Sequence, residues 1–165
     1  MTKLSYRSVN AIAVLGAIGS IAFAYFYLQT HLGLAACPLC LIDRGLITAI
    51  GALFLLAFLH NPKAIGQRIY AGAASVFALL GIAVCWRHIW LQSLPPDQVP
   101  ECSPGLEYML ETFPIGETIR TIFNSAGECA EIQWTFLGLS IPAQTMLVFL
   151  GFTGLCLFQI LRKPG

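Results

Sequence analysis

Hydrophobic positions along this chain fall into four long runs, and the polar residues gather between them. The runs cover residues 9–28, 41–59, 69–90 and 141–161. A helix that crosses the hydrocarbon core of a bilayer needs about 20 mostly apolar residues, and each run is of about that length. A surface helix of a soluble protein carries a polar stripe, whereas these runs are apolar on every side. The pattern predicts an all-α membrane protein, a four-helix transmembrane bundle forming a single domain over residues 1–165.

The connections between the runs differ greatly in length. The second and third runs are separated by a short link, whereas residues 91–140 form a long, proline-rich loop between helices 3 and 4. Apolar residues recur at helical spacing inside this loop, at Leu106, Met109, Leu110 and Phe113. The spacing predicts a short helix that lies either on the membrane surface or against the loop's own core.

Composition supports a lipid environment. Hydrophobic residues make up 57% of the chain and charged residues 10%, against about 25% charge in a typical soluble domain. The formal net charge is only +1, which gives no basis for binding a nucleic acid. We therefore expect the lipid bilayer to be the principal surroundings of this protein.

The basic residues are distributed unevenly about the predicted spans. Six lie near the termini or in the short link, and three lie near the other ends of the spans: Lys3, Arg7, Lys63, Arg68, Arg162 and Lys163 against Arg44, Arg87 and Arg120. Cytoplasmic segments carry the excess of Lys and Arg in membrane proteins. The distribution predicts that both termini are cytoplasmic and that the long loop lies on the outer face.

The N-terminal region also has features of a secretion signal. Lys3 and Arg7 precede an apolar run, and residues 34–37 resemble a lipoprotein cleavage box that ends in Cys37. The apolar run is long for a signal core, however, and three polar residues at 29–31 separate it from the cysteine. We therefore interpret the run as a membrane span.

Six cysteines are the main candidates for chemistry. Cys85 and Cys156 fall inside predicted spans, where a cysteine usually acts as a small hydrophobic residue. The other four lie outside the hydrocarbon, at Cys37, Cys40, Cys102 and Cys129. Four cysteines in an oxidising compartment suggest two disulfides, for which three pairings are possible from sequence.

Cys37 and Cys40 have the two-residue spacing of thiol–disulfide exchange centres, and they lie where the second span begins. The free N–H groups of a helix N-terminus favour a thiolate. Arg44 lies one turn beyond Cys40, so its cation favours the same anion. Alternatives are half of a zinc site, a structural disulfide, and an Arg44 that pairs with Asp43 or lipid phosphate. Cys102 and Cys129, taken alone, are equally consistent with a structural disulfide.

Two further residue types lie near the predicted membrane mouths. His88, beside Arg87, is either an interfacial polar residue or a hydrogen-bond partner for a cofactor carbonyl. The three tryptophans, Trp86, Trp90 and Trp134, fit an aromatic belt at the membrane interface better than a cofactor site.

Taken together, these residues resemble the DsbB family of bacterial inner-membrane proteins, which reoxidise the periplasmic dithiol oxidase DsbA. The resemblance extends over nearly the whole chain, in four blocks that occur in the family's order between the predicted spans. The blocks are residues 37–44, 87–92, 102–108 and 127–139.

The resemblance implies a thiol:quinone oxidoreductase of the bacterial inner membrane, with the long loop in the periplasm. It implies disulfides Cys37–Cys40 and Cys102–Cys129, and a quinone bound near Cys40, Arg44 and His88. We expect ubiquinone, with menaquinone as the alternative, and a DsbA-like thiol oxidase as partner. Electrons would pass from that partner through both cysteine pairs to the membrane quinone pool.

Other function classes remain open at this point. A relative of vitamin K epoxide reductase would also combine such spans with a two-residue cysteine motif and a quinone, but there the motif follows the loop cysteines. A non-enzymatic membrane subunit with structural disulfides would not need Arg44 beside Cys40. A metal-handling protein would contain bound metal.

Overall fold

The computed structural model describes residues 5–100, 106–124 and 127–162. Within these ranges, four helices are long and apolar enough to cross a membrane: Tyr6–His31, Pro38–His60, Ala64–Gln92 and Ile141–Leu161. The predicted all-α transmembrane bundle with a long loop between its third and fourth spanning helices is confirmed.

The first spanning helix is irregular at its second half. Helix α1, Tyr6–Ala22, continues without a break into a π-helix, Phe23–His31. The next two spanning helices are α2, Pro38–His60, and α3, Ala64–Gln92.

The loop after α3 contains several short elements before the last spanning helix. They are a 3₁₀ turn Pro96–Gln98, α4 Leu106–Thr112, α5 Ile115–Asn124, a 3₁₀ turn Gly127–Cys129, the strands β1 Thr135–Phe136 and β2 Leu139–Ser140, and finally α6 Ile141–Leu161. The two strands form an antiparallel hairpin in which Thr135 pairs with Ser140.

Three buried amide side chains fix the direction of the helices. Asn10 of α1 donates a hydrogen bond to Gln67 of α3 at 3.0 Å and accepts one from Gln159 of α6 at 2.6 Å. The beginning of α1, the beginning of α3 and the end of α6 therefore lie together. We call this the terminal end of the bundle; the opposite end, where residues 32–37 and 93–140 connect the helices, is the loop end.

Small residues let the helices approach closely in the middle of the bundle. A Cβ atom placed on Gly81 would collide with the ring of Phe149 in α6, and one placed on Gly51 would lie 2.8 Å from Cβ of Ala17 in α1. Close approach through small residues is the usual basis of helix packing in membranes, where lipid supplies no hydrophobic drive between helices. These glycines bring α2 close to α1 and α3 close to α6.

The outward surface of the bundle is strongly apolar. Large side chains such as Leu15, Ile69, Leu79 and Leu150 are exposed along the spanning helices. A monomeric soluble protein rarely exposes such extended apolar surface. The chain is therefore a multi-pass membrane protein whose outer surface is covered by lipid.

The short loop helices pack onto the loop end of the bundle. Met109 of α4 and Ile122 of α5 are buried in a cluster with Leu39 of α2 and Leu91 of α3. Helix α4 thus packs against the ends of the spanning helices as well as against the loop. The side chains of Leu106 and Leu110, which also belong to its predicted apolar face, lie outside the described residues. This packing brings the segment around Cys129 against the bundle.

Candidate active site

The two-residue cysteine motif forms the first turn of α2. Cys37 has an extended backbone and caps the helix, because its Sγ accepts the N–H of Cys40 at 3.4 Å. Pro38 occupies the next position, where a missing N–H costs nothing. The sulfur atoms of Cys37 and Cys40 are 3.0 Å apart and both residues are present as thiols. The geometry therefore suits a pair that opens and closes a disulfide with little backbone movement.

The loop cysteine Cys129 lies directly beside this motif. It ends the 3₁₀ turn Gly127–Cys129 and is buried. Cys37 Sγ, Cys129 Sγ and a ring nitrogen of His88 lie within 4.8 Å of one another. A thiolate at either sulfur is therefore close to the other, which is the arrangement that thiol–disulfide exchange needs.

The surroundings of Cys37 favour its thiolate form. The contact with Cys129 has the largest effect in lowering the pKa of the Cys37 thiol below its ordinary value, followed by the contact with Cys40. Burial acts in the opposite direction, and His88, whose Nε2 lies 3.8 Å from Cys37 Sγ, lowers the pKa further. Cys37 is thus the more readily activated nucleophile of the motif.

Arg44 is held by the irregular part of the first spanning helix. Its Nη1 donates to Oε1 of Gln29 at 2.8 Å, and its Nη2 donates to the carbonyl of Ala24 at 3.2 Å. Both partners belong to the π-helix, an element that occurs often at functional sites. The alternative in which Arg44 pairs with Asp43 is wrong, because the Asp43 carboxylate points into the bundle toward α3.

His88 and Asp43 are the buried polar residues of this region. His88 is 3% exposed and Asp43 is 4% exposed. Cys85 Sγ donates to Oδ2 of Asp43 at 3.6 Å. In the described part of the chain, Oδ1 of Asp43 and Nδ1 of His88 have no hydrogen-bond partner. The prediction of an interfacial position for His88 is therefore wrong. Asp43 is given no functional role in the sequence analysis, although an acidic residue inside a span is itself a signal of function.

These side chains surround one cavity of about 450 Å³. It is bounded by α1 with its π-helix, α2, α3, α6 and the loop, and most of its lining is apolar, including Ile21, Leu28, Ile47 and Val148. Cavities of this size hold small organic ligands in other proteins.

Trp134 belongs to the wall of the cavity. Its ring stacks on Phe136 and also contacts Phe23 and Tyr27 of the π-helix. Trp86 and Trp90, by contrast, are exposed near the end of α3, as an aromatic belt requires. The assignment of all three tryptophans to a belt is therefore wrong for Trp134.

Five of the six site residues predicted from sequence line the same cavity: Cys37, Cys40, Arg44, His88 and Cys129. The sixth, Cys102, lies outside the described residues. Cys156 is buried in the mid-bundle core, as expected for a small apolar residue. Cys85 is also buried there, but its contact with Asp43 gives it a polar partner as well.

Comparison with known proteins gives a consistent result. Residues 6–159 match the model of a family described as disulfide bond formation protein DsbB. A relative of the same name from Hahella chejuensis is 48% identical over 98% of this chain and 97% of its own length. Another, from Nitrosococcus oceani, is 50% identical over 84% of this chain and 82% of its own length. A third, from Stutzerimonas stutzeri, is 44% identical over 99% of both chains.

Proposed function

Since this chain belongs to the family of disulfide bond formation protein DsbB, and is thus broadly an oxidoreductase that forms disulfides, we propose that it oxidises a DsbA-like periplasmic thiol oxidase and transfers the electrons to a membrane quinone. Its location in this proposal is the bacterial inner membrane, with both termini in the cytoplasm. Ubiquinone is the expected acceptor, and menaquinone is the alternative.

The contact between Cys129 and Cys37 is the observation that carries the proposal. It joins a cysteine of the long loop to the two-residue motif at the mouth of an apolar cavity. Cys40, the other member of the motif, also lines the cavity. The cysteines thus form a sequence from the loop to the membrane interior, as an electron route between a water-soluble protein and a lipid-soluble acceptor requires.

The proposed route proceeds by successive thiolate attacks. The reduced partner attacks Cys102 of a Cys102–Cys129 disulfide and releases Cys129 as a thiolate. Cys129 attacks Cys37, which breaks the Cys37–Cys40 bond and leaves Cys40 as a thiolate at the cavity. The partner's second thiol displaces Cys102 and leaves the partner oxidised. Cys102 then attacks Cys129, which restores the loop disulfide and frees Cys37.

The cavity fits a quinone ring in three respects. Its volume is sufficient, its lining is mainly apolar, and it offers the buried unpaired atoms Oδ1 of Asp43 and Nδ1 of His88. The quinone would supply a two-electron acceptor that is strong enough to reoxidise an oxidising partner. Cys40 and Arg44 would hold it, since both side chains line the cavity.

Arg44 has the geometry of an anion-stabilising group. The contacts with Gln29 and Ala24 occupy two of the five guanidinium donors and fix the side chain at the cavity wall. Because a quinone oxygen gains negative charge as electrons arrive, a fixed guanidinium beside it would stabilise the reduced form.

A metal site is the second function that one observation favours. The Sγ atoms of Cys37 and Cys129 and a ring nitrogen of His88 are atoms that can bind a metal ion, and they lie within 4.8 Å of one another. The same contact is needed for exchange between the two thiols, so it does not by itself indicate a metal. Elemental analysis of the purified protein distinguishes a metal site from a thiol-exchange site, because a resident metal ion would be present in stoichiometric amount.

The decisive experiment follows quinone absorbance when purified protein is mixed with a short-chain quinone and a reduced DsbA-like dithiol protein. We expect quinone loss and partner oxidation in equal amounts, both dependent on the protein. The matched control is Cys40→Ser, which lacks the cavity thiol and, as a substitution of one atom, should keep the fold. If partner oxidation proceeds without quinone loss, the proposed acceptor is wrong.

The orientation is tested with two exposed positions at opposite ends of the bundle. Asp97→Cys introduces a thiol in the long loop, and Ser5→Cys introduces one at the terminal end. An impermeant maleimide applied to intact cells should label the first variant above the background of the native chain. The second variant should be labelled only after permeabilisation, and the reverse result would refute cytoplasmic termini.

A further inference from the structure

Asp43 is an acidic side chain in an unusual position. It lies in the second turn of α2, and its carboxylate is almost completely buried between α2 and α3. It also lines the cavity, one helical turn from Cys40 and Ile47 on the same face of α2. Ionisable residues inside membrane helices are costly and usually serve a function.

The two oxygen atoms of this carboxylate have different surroundings. Oδ2 accepts a hydrogen bond from Cys85 at 3.6 Å. Oδ1 has no partner among the described residues, although it is buried. A carboxylate with a purely structural role would be expected to have both oxygens satisfied. An isolated buried carboxylate charge is strongly unfavourable, whereas a proton on Oδ1 removes that charge.

We propose that Asp43 is the proton donor of the cavity, which holds a proton on Oδ1 and delivers it to an oxygen of the bound acceptor. The proposal rests on the function given above, because a quinone takes up protons only if it is the electron acceptor. Asp43 would thereby touch the reacting atoms and act as a catalytic residue.

The protons and electrons balance. Oxidation of the partner's two thiols to a disulfide releases two electrons and two protons, and reduction of a quinone to a quinol consumes both. Asp43 supplies one proton from Oδ1. It is reprotonated from water at the loop end through His88, whose Nε2 lies 3.8 Å from the sulfur of Cys37. Water at the loop end also supplies the second proton, and it takes up the two protons that the partner's thiols release.

The other titratable and charged groups around the cavity come from three elements. Helix α2 contributes Cys37, Cys40 and Arg44, helix α3 contributes His88 with Cys85 behind it, and the loop contributes Cys129 and Glu131. Within the described residues, α1 and α6 contribute no titratable side chain to the lining. Asp43 is therefore the carboxyl group closest to the interior of the bundle, since Glu131 is exposed.

The test compares Asp43→Asn with Asp97→Asn, which makes the same chemical change on an exposed loop residue. We expect Asp43→Asn to lower kcat for quinone reduction by about 100-fold, as loss of a general acid does, with the quinone KM nearly unchanged. Asp43→Glu should restore most of the rate, and Asp97→Asn should behave as wild type. Equal kcat values in both Asn variants would overturn the proposal.

A second readout does not depend on turnover. Infrared spectra of the reduced, quinone-free protein should contain the carbonyl band of a protonated carboxyl group, and the band should be absent from Asp43→Asn but present in Asp97→Asn. If Asp43→Asn fails to fold, the proposal is tested by the infrared band of the wild type and by the activity of Asp43→Glu. A missing band in the wild type, or a Glu variant that is folded but inactive, would refute the role of Asp43 as proton donor.

These outcomes are distinguishable from failure of the proposed function. A wild-type protein that reduces no quinone refutes that function whatever the spectrum shows. A wild-type protein that reduces quinone, together with an equally active Asp43→Asn variant, refutes only the role of Asp43.

Discussion

The two ends of the bundle contain different kinds of buried polar contact. At the terminal end, the side chains of Asn10, Gln67 and Gln159 form hydrogen bonds of 2.6 and 3.0 Å between helices. At the loop end, the contacts join sulfur atoms to one another and to His88, and they surround a cavity. Amide pairs can only hold helices together, whereas neighbouring thiols can exchange bonds. The comparison indicates that one end provides stability and the other provides reactivity.

The backbone differs in the same way. Near the terminal end the spanning helices are regular, whereas near the loop end the first one becomes a π-helix and the chain turns through 3₁₀ segments and a hairpin. The wider turns of the π-helix place Gln29 and the carbonyl of Ala24 where Arg44 reaches them. Irregular backbone therefore occurs where the chain positions chemical groups.

Replacement of Cys37 by serine should produce the largest effect on activity with little effect on the fold. Removal of a covalent nucleophile commonly costs about 10³-fold or more in rate, so partner oxidation linked to quinone should fall to background. Thermal unfolding of the variant, followed by helix content, should match that of wild type. A parallel Cys156→Ala variant changes a cysteine of the core, and it should retain its rate per folded molecule.

Replacement of Arg44 by glutamine should separate binding from stability at the loop end. Loss of a charge-assisted hydrogen bond of about 1.4 kcal/mol should raise the quinone KM about tenfold, while thermal stability stays near that of wild type. Arg120→Gln, on exposed α5, is the control and should leave KM unchanged. An Arg44→Gln protein that unfolds earlier but binds quinone normally would assign Arg44 to the fold.

Replacement of Gln159 by leucine should have the opposite effect. It leaves Asn10 Oδ1 without the hydrogen bond that Gln159 donates, so the free energy of unfolding should fall by about 1 to 2 kcal/mol. The rate per folded molecule should be unchanged. Denaturant unfolding in detergent measures the free energy of unfolding, and Gln98→Leu, at an exposed position, is the control. A Gln159→Leu variant with normal stability and a low rate would contradict the assignment of stability to the terminal end and reactivity to the loop end.

The smallest effect concerns the acidity of Cys37. Because its pKa lies below the ordinary thiol value of about 8.5, its thiolate should persist as the pH falls from 8 to about 6. Alkylation of the reduced protein, followed by mass spectrometry, should therefore change little across this range. In Cys129→Ala the main stabilising contact is lost, the pKa rises, and alkylation near pH 6 should slow severalfold. An unchanged alkylation rate in Cys129→Ala would contradict the inference that the contact with Cys129 lowers the pKa of Cys37.

Hydropathy was sufficient to predict the bundle, since each spanning helix is encoded in one continuous run of apolar residues. The spacing of Cys37, Cys40 and Arg44 likewise predicted their common location, because all three lie within two turns of one helix. These are local relations, and local relations are readable from a single sequence.

The remaining features depend on tertiary packing. Cys129 reaches Cys37 only because Met109 and Ile122 bury the loop helices against the bundle. The hairpin turn lacks the usual Asn-Gly signal, because Leu137 occupies the position where Asn is common. Leu137 adopts a positive φ of 51°, and Gly138 follows with a φ of 79°. The buried orientation of Asp43 follows from its position relative to α3, which periodicity along α2 alone does not reveal.

The amide contacts at the terminal end also have a consequence for biogenesis. Asn10 lies in the first spanning helix and Gln159 in the last. Asn10 therefore enters the bilayer long before Gln159 is synthesised. An unpaired amide in hydrocarbon is costly, and Gln67 of α3 can pair with Asn10 before α6 is made. Arrival of α6 then completes the set. The order of synthesis thus gives the last helix a polar site on which to dock, and a chain truncated before Gln159 would expose an amide for quality-control proteases to recognise.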